Sequence, residues 1–119
     1  MSRDSILIVE DDQTVLESLR DILVTAGYEV HCACNAIQAL DCLTNAKSPS
    51  WVLIDYAIEG LDARKYVEKV KLSYPGAKII LSSGYSQDKI NRDEGGRIDG
   101  IDKFIEKPFN PKLLIEAMK

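Results

Sequence analysis

Short runs of branched apolar residues alternate with segments of helical periodicity along the whole sequence. The apolar runs cover residues 5–10, 28–33, 51–56, 77–84 and 102–109. Continuous apolar runs of this length are typical of strands that are buried on both faces of a parallel sheet. The alternation therefore predicts an α/β fold, with a parallel sheet of five strands, right-handed crossovers and helices on both faces.

A helix is predicted after each strand. The first carries Val15, Leu19, Ile22 and Leu23 on one face and ends at Gly27. The second covers 36–46, the third lies within 62–76, and the last starts after 110. Asn35 is the predicted N-cap of the second helix, and Asn110 is that of the last, with Pro111 in its first turn. The third helix carries the apolar residues Tyr66, Val67 and Val70.

The segment 86–100 should hold the fourth helix, but it has few apolar residues. Gly95 and Gly96 lie in its middle, and each glycine costs about 1 kcal/mol in a helix interior. We therefore expect a short or mobile helix in this segment.

Size and charge restrict the class of protein. The chain has 119 residues, of which 45% are hydrophobic, and a net charge of −4, so we expect one domain over residues 1–119. A negative charge argues against direct nucleic-acid binding. No apolar run approaches the roughly 18 residues of a membrane span, and acids interrupt the N-terminus before a signal peptide could form. We therefore expect a cytoplasmic protein that does not bind membranes.

Cys32, Cys34 and Cys42 are the three cysteines of the chain. An odd count in a reducing compartment favours free thiols. Cys32 and Cys34 alternate along a predicted strand and should face the core, whereas His31 between them should point to the opposite face as a structural residue at the solvent edge. A metal site at Cys-x-Cys is disfavoured because no second ligand pair follows.

Polar side chains follow four of the five predicted strands. The first strand ends in Glu10, Asp11 and Asp12, and the others deliver Asp55, Ser82-Ser83 and Lys107-Pro108. In sheets of this type the ligand lies beyond the carboxyl ends of the strands, at the switch in strand order. The sequence therefore predicts a cluster of acids, a hydroxyl and an amine at one edge.

Such a cluster needs positive charge. Two like charges 4 Å apart repel by about 4 kcal/mol at an effective dielectric constant of 20. A divalent cation relieves this repulsion, and a few oxygen ligands with retained waters are the preference of Mg²⁺. Each residue alone also has an ordinary structural interpretation. The acids could complement a helix N-terminus, with Asp12 as its cap, and Ser83 and Lys107 could be ordinary loop residues.

The four segments together resemble the receiver domain of two-component response regulators, over essentially the whole chain. The residues that carry the resemblance are ILIVEDD at 6–12, VLIDY at 52–56, ILSSGYS at 80–86 and FIEKPF at 104–109. The resemblance implies a doubly wound, flavodoxin-like sheet with strand order 2-1-3-4-5. It also implies a phosphorylation-dependent signalling switch that receives a phosphoryl group from a histidine kinase or a histidine phosphotransfer protein.

The resemblance also implies the residue roles. Asp55 matches the phosphoacceptor, and Glu10 and Asp11 match the acid pair that holds Mg²⁺ together with Asp55 and the backbone carbonyl of Ala57. Ser83 matches the switch hydroxyl that moves to the phosphoryl group.

Further roles fall on the last matching segment. Lys107 matches the lysine that pairs with a phosphoryl oxygen, and the bond between Lys107 and Pro108 is expected to be cis. Phe104 occupies the position of the aromatic switch, and a core aromatic on a strand is the structural alternative.

The SSGYS segment at 82–86 resembles receivers attached to sensor kinases more than those joined to DNA-binding domains.

The loop after the phosphoacceptor departs from the family pattern. Where the family often has Pro and then Gly, this sequence has Glu59 and Ala63. Glu59 would add a negative charge close to the predicted pocket.

Three other functions share parts of this pattern. An aspartyl phosphatase of the haloacid dehalogenase type has a second Asp two residues after its nucleophile, where this chain has Ala57. A flavodoxin-like cofactor binder needs a phosphate loop after the first strand, where this chain is acidic. A receiver-like module that binds proteins constitutively, without regulation by phosphorylation, is the main alternative. The sequence is compatible with a stand-alone receiver and with one excised from a longer chain.

Overall fold

The computed structural model describes residues 4–44 and 47–119. The elements follow in the order β1 (Ser5–Val9), α1 (Gln13–Thr25), β2 (Glu29–Ala33), α2 (Ala36–Asp41), a 3₁₀ turn (Cys42–Thr44), β3 (Trp51–Asp55), α3 (Ala63–Ser73), β4 (Lys78–Ser83), α4 (Gln87–Asp93), β5 (Lys103–Glu106) and α5 (Pro111–Ala117). The five strands form one parallel sheet in the order β2-β1-β3-β4-β5. The predicted fold class and strand order are confirmed.

The sheet separates two apolar clusters, because successive side chains of a strand point to opposite faces. On one face Val9, Ile54 and Leu81 pack with Tyr66 of α3 and Ile90 of α4. The other face is covered by α1 and α5, and its cluster contains Ile8, Leu53, Ile80, Leu19 and Leu114. Strands buried on both faces explain why their sequences are apolar runs rather than alternating patterns.

Five helices begin after a side chain that accepts a hydrogen bond from the backbone of the first turn. These capping residues are Asp12, Asn35, Asp62, Ser86 and Asn110. The predicted caps Asn35 and Asn110 are both confirmed. Such caps satisfy backbone N–H groups that have no partner within the helix.

The buried face of α1 differs from the prediction at more than one residue, since Val15 is only half-buried and Leu16 belongs to the buried set. Leu16, Leu19 and Leu23 are buried, whereas Ile22 is 39% exposed. The prediction for Ile22 was therefore wrong. The residues at i, i+3 and i+7 define the stripe that faces the sheet, and Ile22 lies at its edge.

The segment between β4 and β5 contains the short helix that the sequence predicted. The helix ends at Asp93, and Gly95 and Gly96 then adopt φ angles of 76° and 145°, which favour glycine. The second helix is also shorter than predicted, since α2 ends at Asp41; positions 45 and 46 of the predicted helix lie outside the described residues.

The three cysteines and His31 agree with the prediction. All three cysteines are free, and Cys32 and Cys34 pack against the cluster on the α1 face, although Cys34 lies just beyond β2. His31 is exposed and lies 3.4 Å from the carboxylate of Glu29.

Over residues 4–44 and 47–119, we find no helix with the length and apolar character that a membrane crossing requires.

Candidate functional site

The register of the sheet brings the polar strand ends to one edge. Three inter-strand pairs fix this alignment: Val9 with Ile54, Asp55 with Ser82, and Ser83 with Glu106. The residues that follow β1 and β5, Glu10 and Lys107, therefore meet the last residue of β3 at the carboxyl edge.

Three carboxylates converge at this edge. One oxygen atom from each of Glu10, Asp11 and Asp55 lies within 4.8 Å of the others, and no further group of this kind occurs in the part of the chain that the structure describes. Glu10 and Asp55 are 3% and 8% exposed, whereas Asp11 is exposed to solvent. The cluster is thus a pocket with two buried walls and an open rim.

Lys107 supplies a positive charge to the pocket. Its Nζ atom lies 2.5 Å from Oε1 of Glu10 and 3.3 Å from Oδ2 of Asp55. This lysine follows β5, and its backbone N–H donates to the carbonyl of Ser83 at 2.7 Å, which fixes it beside β4. The bond between Lys107 and Pro108 is cis, as predicted.

Burial and neighbouring charges change the pKa values of this group. Burial, together with the nearby Asp55 and against the lowering effect of Lys107, raises the pKa of Glu10 to about 7. Burial alone would lower the pKa of Lys107, but its hydrogen bond to Glu10 and the charge of Asp55 outweigh burial and raise it. One lysine therefore does not compensate the buried acids, although it is itself held in the charged form.

The donor set fits a hard divalent cation. Three carboxylates offer oxygen ligands, and the exposed Asp11 leaves room for the waters that Mg²⁺ retains. The backbone N–H of Ala57 donates to Oδ1 of Asp55 at 3.3 Å, so the loop after β3 starts beside the pocket. The ligand role of the Ala57 carbonyl stays a prediction.

The third acid after β1 has a different task. Oδ1 of Asp12 accepts hydrogen bonds from the N–H groups of Thr14 and Val15, so Asp12 caps α1. The helix-capping interpretation therefore applies to Asp12, while Glu10 and Asp11 belong to the pocket. Glu59, the acid that departs from the family pattern, is exposed and is not part of the carboxylate group.

Ser83 and Phe104 lie on adjacent strands near the pocket. Ser83 is 1% exposed, and its Oγ atom accepts a hydrogen bond from the N–H of Tyr85 at 3.0 Å. Phe104 is half-buried opposite Leu81 and lines a cavity of about 20 Å³ beneath α4. A cavity of this size has room for about one water molecule beside the aromatic side chain.

Comparison with known proteins agrees with this geometry. The family model described as the response regulator receiver domain matches residues 6–119. The chain belongs to the response regulator receiver domain family. A solved receiver domain protein (CheY-like) from Methanospirillum hungatei JF-1 is 32% identical, with a TM-score of 0.83 over 98% of this chain and 91% of that chain. The chemotaxis response regulator CheY4 of Vibrio cholerae, at 21% identity and a TM-score of 0.84 over 98% of this chain and 97% of that chain, shares the fold.

Curated relatives of this receiver differ in length. Sporulation initiation phosphotransferase F of Bacillus subtilis is 29% identical over 120 residues, which cover 100% of this chain and 94% of that protein. The transcriptional regulatory protein AruR of Pseudomonas aeruginosa is 33% identical over 96% of this chain, and the response regulator MprA of Mycobacterium sp. (strain KMS) is 30% identical over 96% of this chain. The receiver spans about half the length of the latter two, 47% and 48%.

A second polar network lies beside the pocket, and no local pattern in the sequence indicates it. Arg64 of α3 and Glu94 after α4 lie 30 positions apart, yet their side chains form an ion pair at 3.3 Å. The hydroxyl of Tyr56, next to Asp55, also donates to Glu94. Only the packing of α3 against the segment after α4 brings these residues together.

Proposed function

We propose that residues 1–119 form a single receiver domain that accepts a phosphoryl group onto Asp55, with Mg²⁺, in the cytoplasm. The donor would be the phosphohistidine of a histidine kinase or of a histidine phosphotransfer protein. The observation that carries the proposal is the convergence of Glu10, Asp11, Asp55 and Lys107 from three strand ends on one pocket.

The proposed step is an in-line displacement at phosphorus. An oxygen of the Asp55 carboxylate attacks, an oxygen–phosphorus bond forms, and the phosphorus–nitrogen bond of the donor breaks. The electron pair returns to the imidazole nitrogen, which takes a proton from solvent. Lys107 already lies 3.3 Å from Asp55, so its ammonium group can neutralise charge on the transferred group.

The cation would be held by Glu10, Asp11 and Asp55, with the carbonyl of Ala57 as the further ligand. When bound, Mg²⁺ supplies positive charge that offsets the acids and the oxygens of the phosphoryl group. The raised pKa of Glu10 supports this assignment, because burial and the adjacent Asp55 both disfavour its charged form and a bound cation would favour it.

Phosphorylation would act on the surface through Ser83 and Phe104. The new group carries roughly −1.5 to −2 charges at pH 7, and the Ser83 hydroxyl, now an acceptor for the N–H of Tyr85, can donate its proton to it. Movement of this loop would let Phe104 turn toward the cavity under α4. The result is a shift between two conformations of one fold.

The partner would approach along α1. An apolar groove of about 540 Å³ runs between α1 and the β5–α5 loop, and it includes Val15, Leu19, Pro108 and Phe109 together with Lys107. Because Lys107 lines this groove and also contacts Glu10 and Asp55, a helix that bears the donor histidine could dock there. The similarity to sporulation initiation phosphotransferase F over nearly its whole length supports a phosphotransfer role.

The test is phosphorylation by a small donor. The wild-type protein is incubated with acetyl phosphate and Mg²⁺ and then examined by intact mass. We expect one added phosphoryl group in the wild type and in an Asp99→Asn control, where an exposed acid is changed, and none in Asp55→Asn. Phosphorylation that persists in Asp55→Asn, or that never occurs in the wild type, would contradict the proposal.

A further inference from the structure

The short helix α4 has little apolar anchorage. Among residues 87–93, only Ile90 is buried, and a cavity of about 20 Å³ lies beneath the helix, bordered by Ile90, Ile98 and Phe104. A helix is held on a sheet by its buried side chains, each of which usually touches many neighbours. This helix has only one such side chain, and the cavity beside it removes some of its contacts. Other contacts must fix the position of α4 on the sheet.

A single arginine supplies many of these contacts. The Nε atom of Arg64 donates to the Glu94 carboxylate at 3.3 Å, and Nη1 donates to the carbonyl of Arg97 at 3.2 Å. Nη2 donates to the carbonyls of Glu94 at 3.4 Å and Gly96 at 3.2 Å. The side chain is 33% exposed, and the planar fork of a guanidinium suits several acceptors at once in a way that a lysine cannot match.

The turn after α4 presents these acceptors. Gly95 and Gly96 take positive φ angles, and the chain then continues through Arg97 around the guanidinium group. We call Arg64 with its acceptors at 94, 96 and 97 the arginine clamp. It joins the start of α3 to the C-terminal end of α4.

The clamp is also linked to the residue beside the phosphoacceptor. The Tyr56 hydroxyl donates to Oε2 of Glu94 at 2.7 Å, while Oε1 of the same carboxylate accepts from Arg64. Tyr56 follows Asp55 directly, so the carboxylate of Glu94 bridges α3, α4 and the end of β3.

We propose that the arginine clamp holds α4 in its resting position and thereby opposes the conformational change that follows phosphorylation of Asp55. Arg64 and Tyr56 lie on one side of the contact, and the residues after α4 lie on the other. Displacement of α4 relative to β3 must break these bonds, and contacts made in only one of two states favour that state. The statement that the clamp holds α4 rests on the contacts alone. The statement that it opposes the change after phosphorylation rests also on the proposed function.

The first measurement uses hydrogen exchange in the metal-free, unphosphorylated protein. Arg64→Lys keeps the charge but removes the fork, and Lys65→Gln is the matched control on an exposed neighbour in the same helix. We expect backbone amides of residues 87–97 to exchange about fivefold faster in Arg64→Lys, because local opening becomes easier. The control should exchange like the wild type. Tyr56→Phe, which removes only one hydroxyl, should change exchange in the same direction by a smaller factor.

The second measurement uses beryllofluoride with Mg²⁺ as a mimic of the phosphoryl group. If the clamp favours the resting state, Arg64→Lys should bind beryllofluoride about threefold tighter than the wild type. In the wild type, part of the binding free energy is used to break the bonds of the clamp, and the variant lacks this cost. The Lys65→Gln control should bind with wild-type affinity.

The outcomes separate the two proposals. Unchanged exchange in both Arg64→Lys and Tyr56→Phe would overturn the clamp as a restraint on α4. Faster exchange with unchanged or weaker beryllofluoride binding would overturn its opposition to the switch. If the wild type itself bound no beryllofluoride, the proposed function would fail, and the exchange data would still decide whether the clamp restrains α4.

Discussion

Asp55→Asn is expected to stabilise the metal-free protein at pH 8. The substitution removes one negative charge from the pocket but keeps the size of the side chain. In the absence of a cation, Asp55 faces two other carboxylates and one ammonium group. Since the acids outnumber the base and two of them are buried, the wild-type pocket carries unfavourable charge in this state.

The size of the effect follows from the distances. At an effective dielectric constant of 20, each carboxylate at the 4.8 Å limit repels Asp55 by about 3.5 kcal/mol, and Lys107 at 3.3 Å attracts it by about 5 kcal/mol. Solvent screens the exposed Asp11 more than the buried Glu10. The net gain from neutralising Asp55 is therefore about 1 to 2 kcal/mol.

The gain should depend on pH in a definite direction. The pKa of Glu10 is raised to about 7 in the folded protein from 4.5, so its charging destabilises the fold as the pH rises between these values, by about 3 kcal/mol in total. At pH 5 folded Glu10 is protonated, and Lys107 then attracts Asp55 more strongly than the exposed Asp11 repels it. The stabilisation by Asp55→Asn should therefore be present at pH 8 and absent at pH 5.

The assay is urea unfolding followed by the fluorescence of Trp51, the single tryptophan, which is buried. A change of 1 to 2 kcal/mol moves the urea midpoint by about 0.5 to 1 M. Each protein is measured in chelator and again in saturating Mg²⁺. Mg²⁺ should raise the free energy of unfolding more for the wild type than for Asp55→Asn, because the wild type retains all three carboxylate ligands. Asp99→Asn, an exposed acid outside the pocket, is the control and should leave the midpoint unchanged.

A midpoint for Asp55→Asn that equals or falls below the wild-type value in chelator at pH 8 would refute the reasoning. It would show that Lys107 balances the acids completely. An equal gain at pH 5 and pH 8 would refute the part that depends on Glu10.

Three further changes have expected outcomes. Tyr66→Phe should lower the free energy of unfolding by about 1 to 2 kcal/mol in urea titrations, because the carbonyl of Ala39 loses its buried donor at 2.8 Å. Gly100→Ala should destabilise by about 1 kcal/mol or more in the same assay, since φ is 94° and the new Cβ atom would lie 3.1 Å from Val67; a neutral result would contradict the strain. Lys107→Met should weaken the surface response of the phosphorylated protein while phosphorylation itself continues, and unchanged amide shifts in the wild type on phosphorylation would contradict the switch.

Much of the fold could be predicted because its signals are local. Five apolar runs identify the strands, and the side chains of Asn35 and Asn110 begin helices through bonds to residues close in sequence. The exact ends were less predictable: β5 covers only Lys103–Glu106 within the predicted 102–109. The extent of a strand depends on where its neighbour can still pair with it, which local composition does not fix.

The candidate site was partly predictable, because its residues follow directly after strands that the sequence identifies. Glu10, Asp55 and Lys107 could be placed at one edge because the carboxyl ends of parallel strands meet there. Residue types alone left the three acids after β1 between a metal site and a helix N-terminus, and the structure gives Asp12 the capping role that was offered for it and leaves Glu10 beside Lys107.

The amino-acid sequence alone determined the order of elements, the parallel sheet and the residues delivered to its carboxyl edge, because periodicity and capping act between residues that are close in the chain. Only the tertiary structure decided the raised pKa of Glu10 and the arginine clamp between Arg64 and Glu94. Burial and contacts between distant residues depend on how whole elements pack, and no local pattern in the sequence encodes the resulting distances.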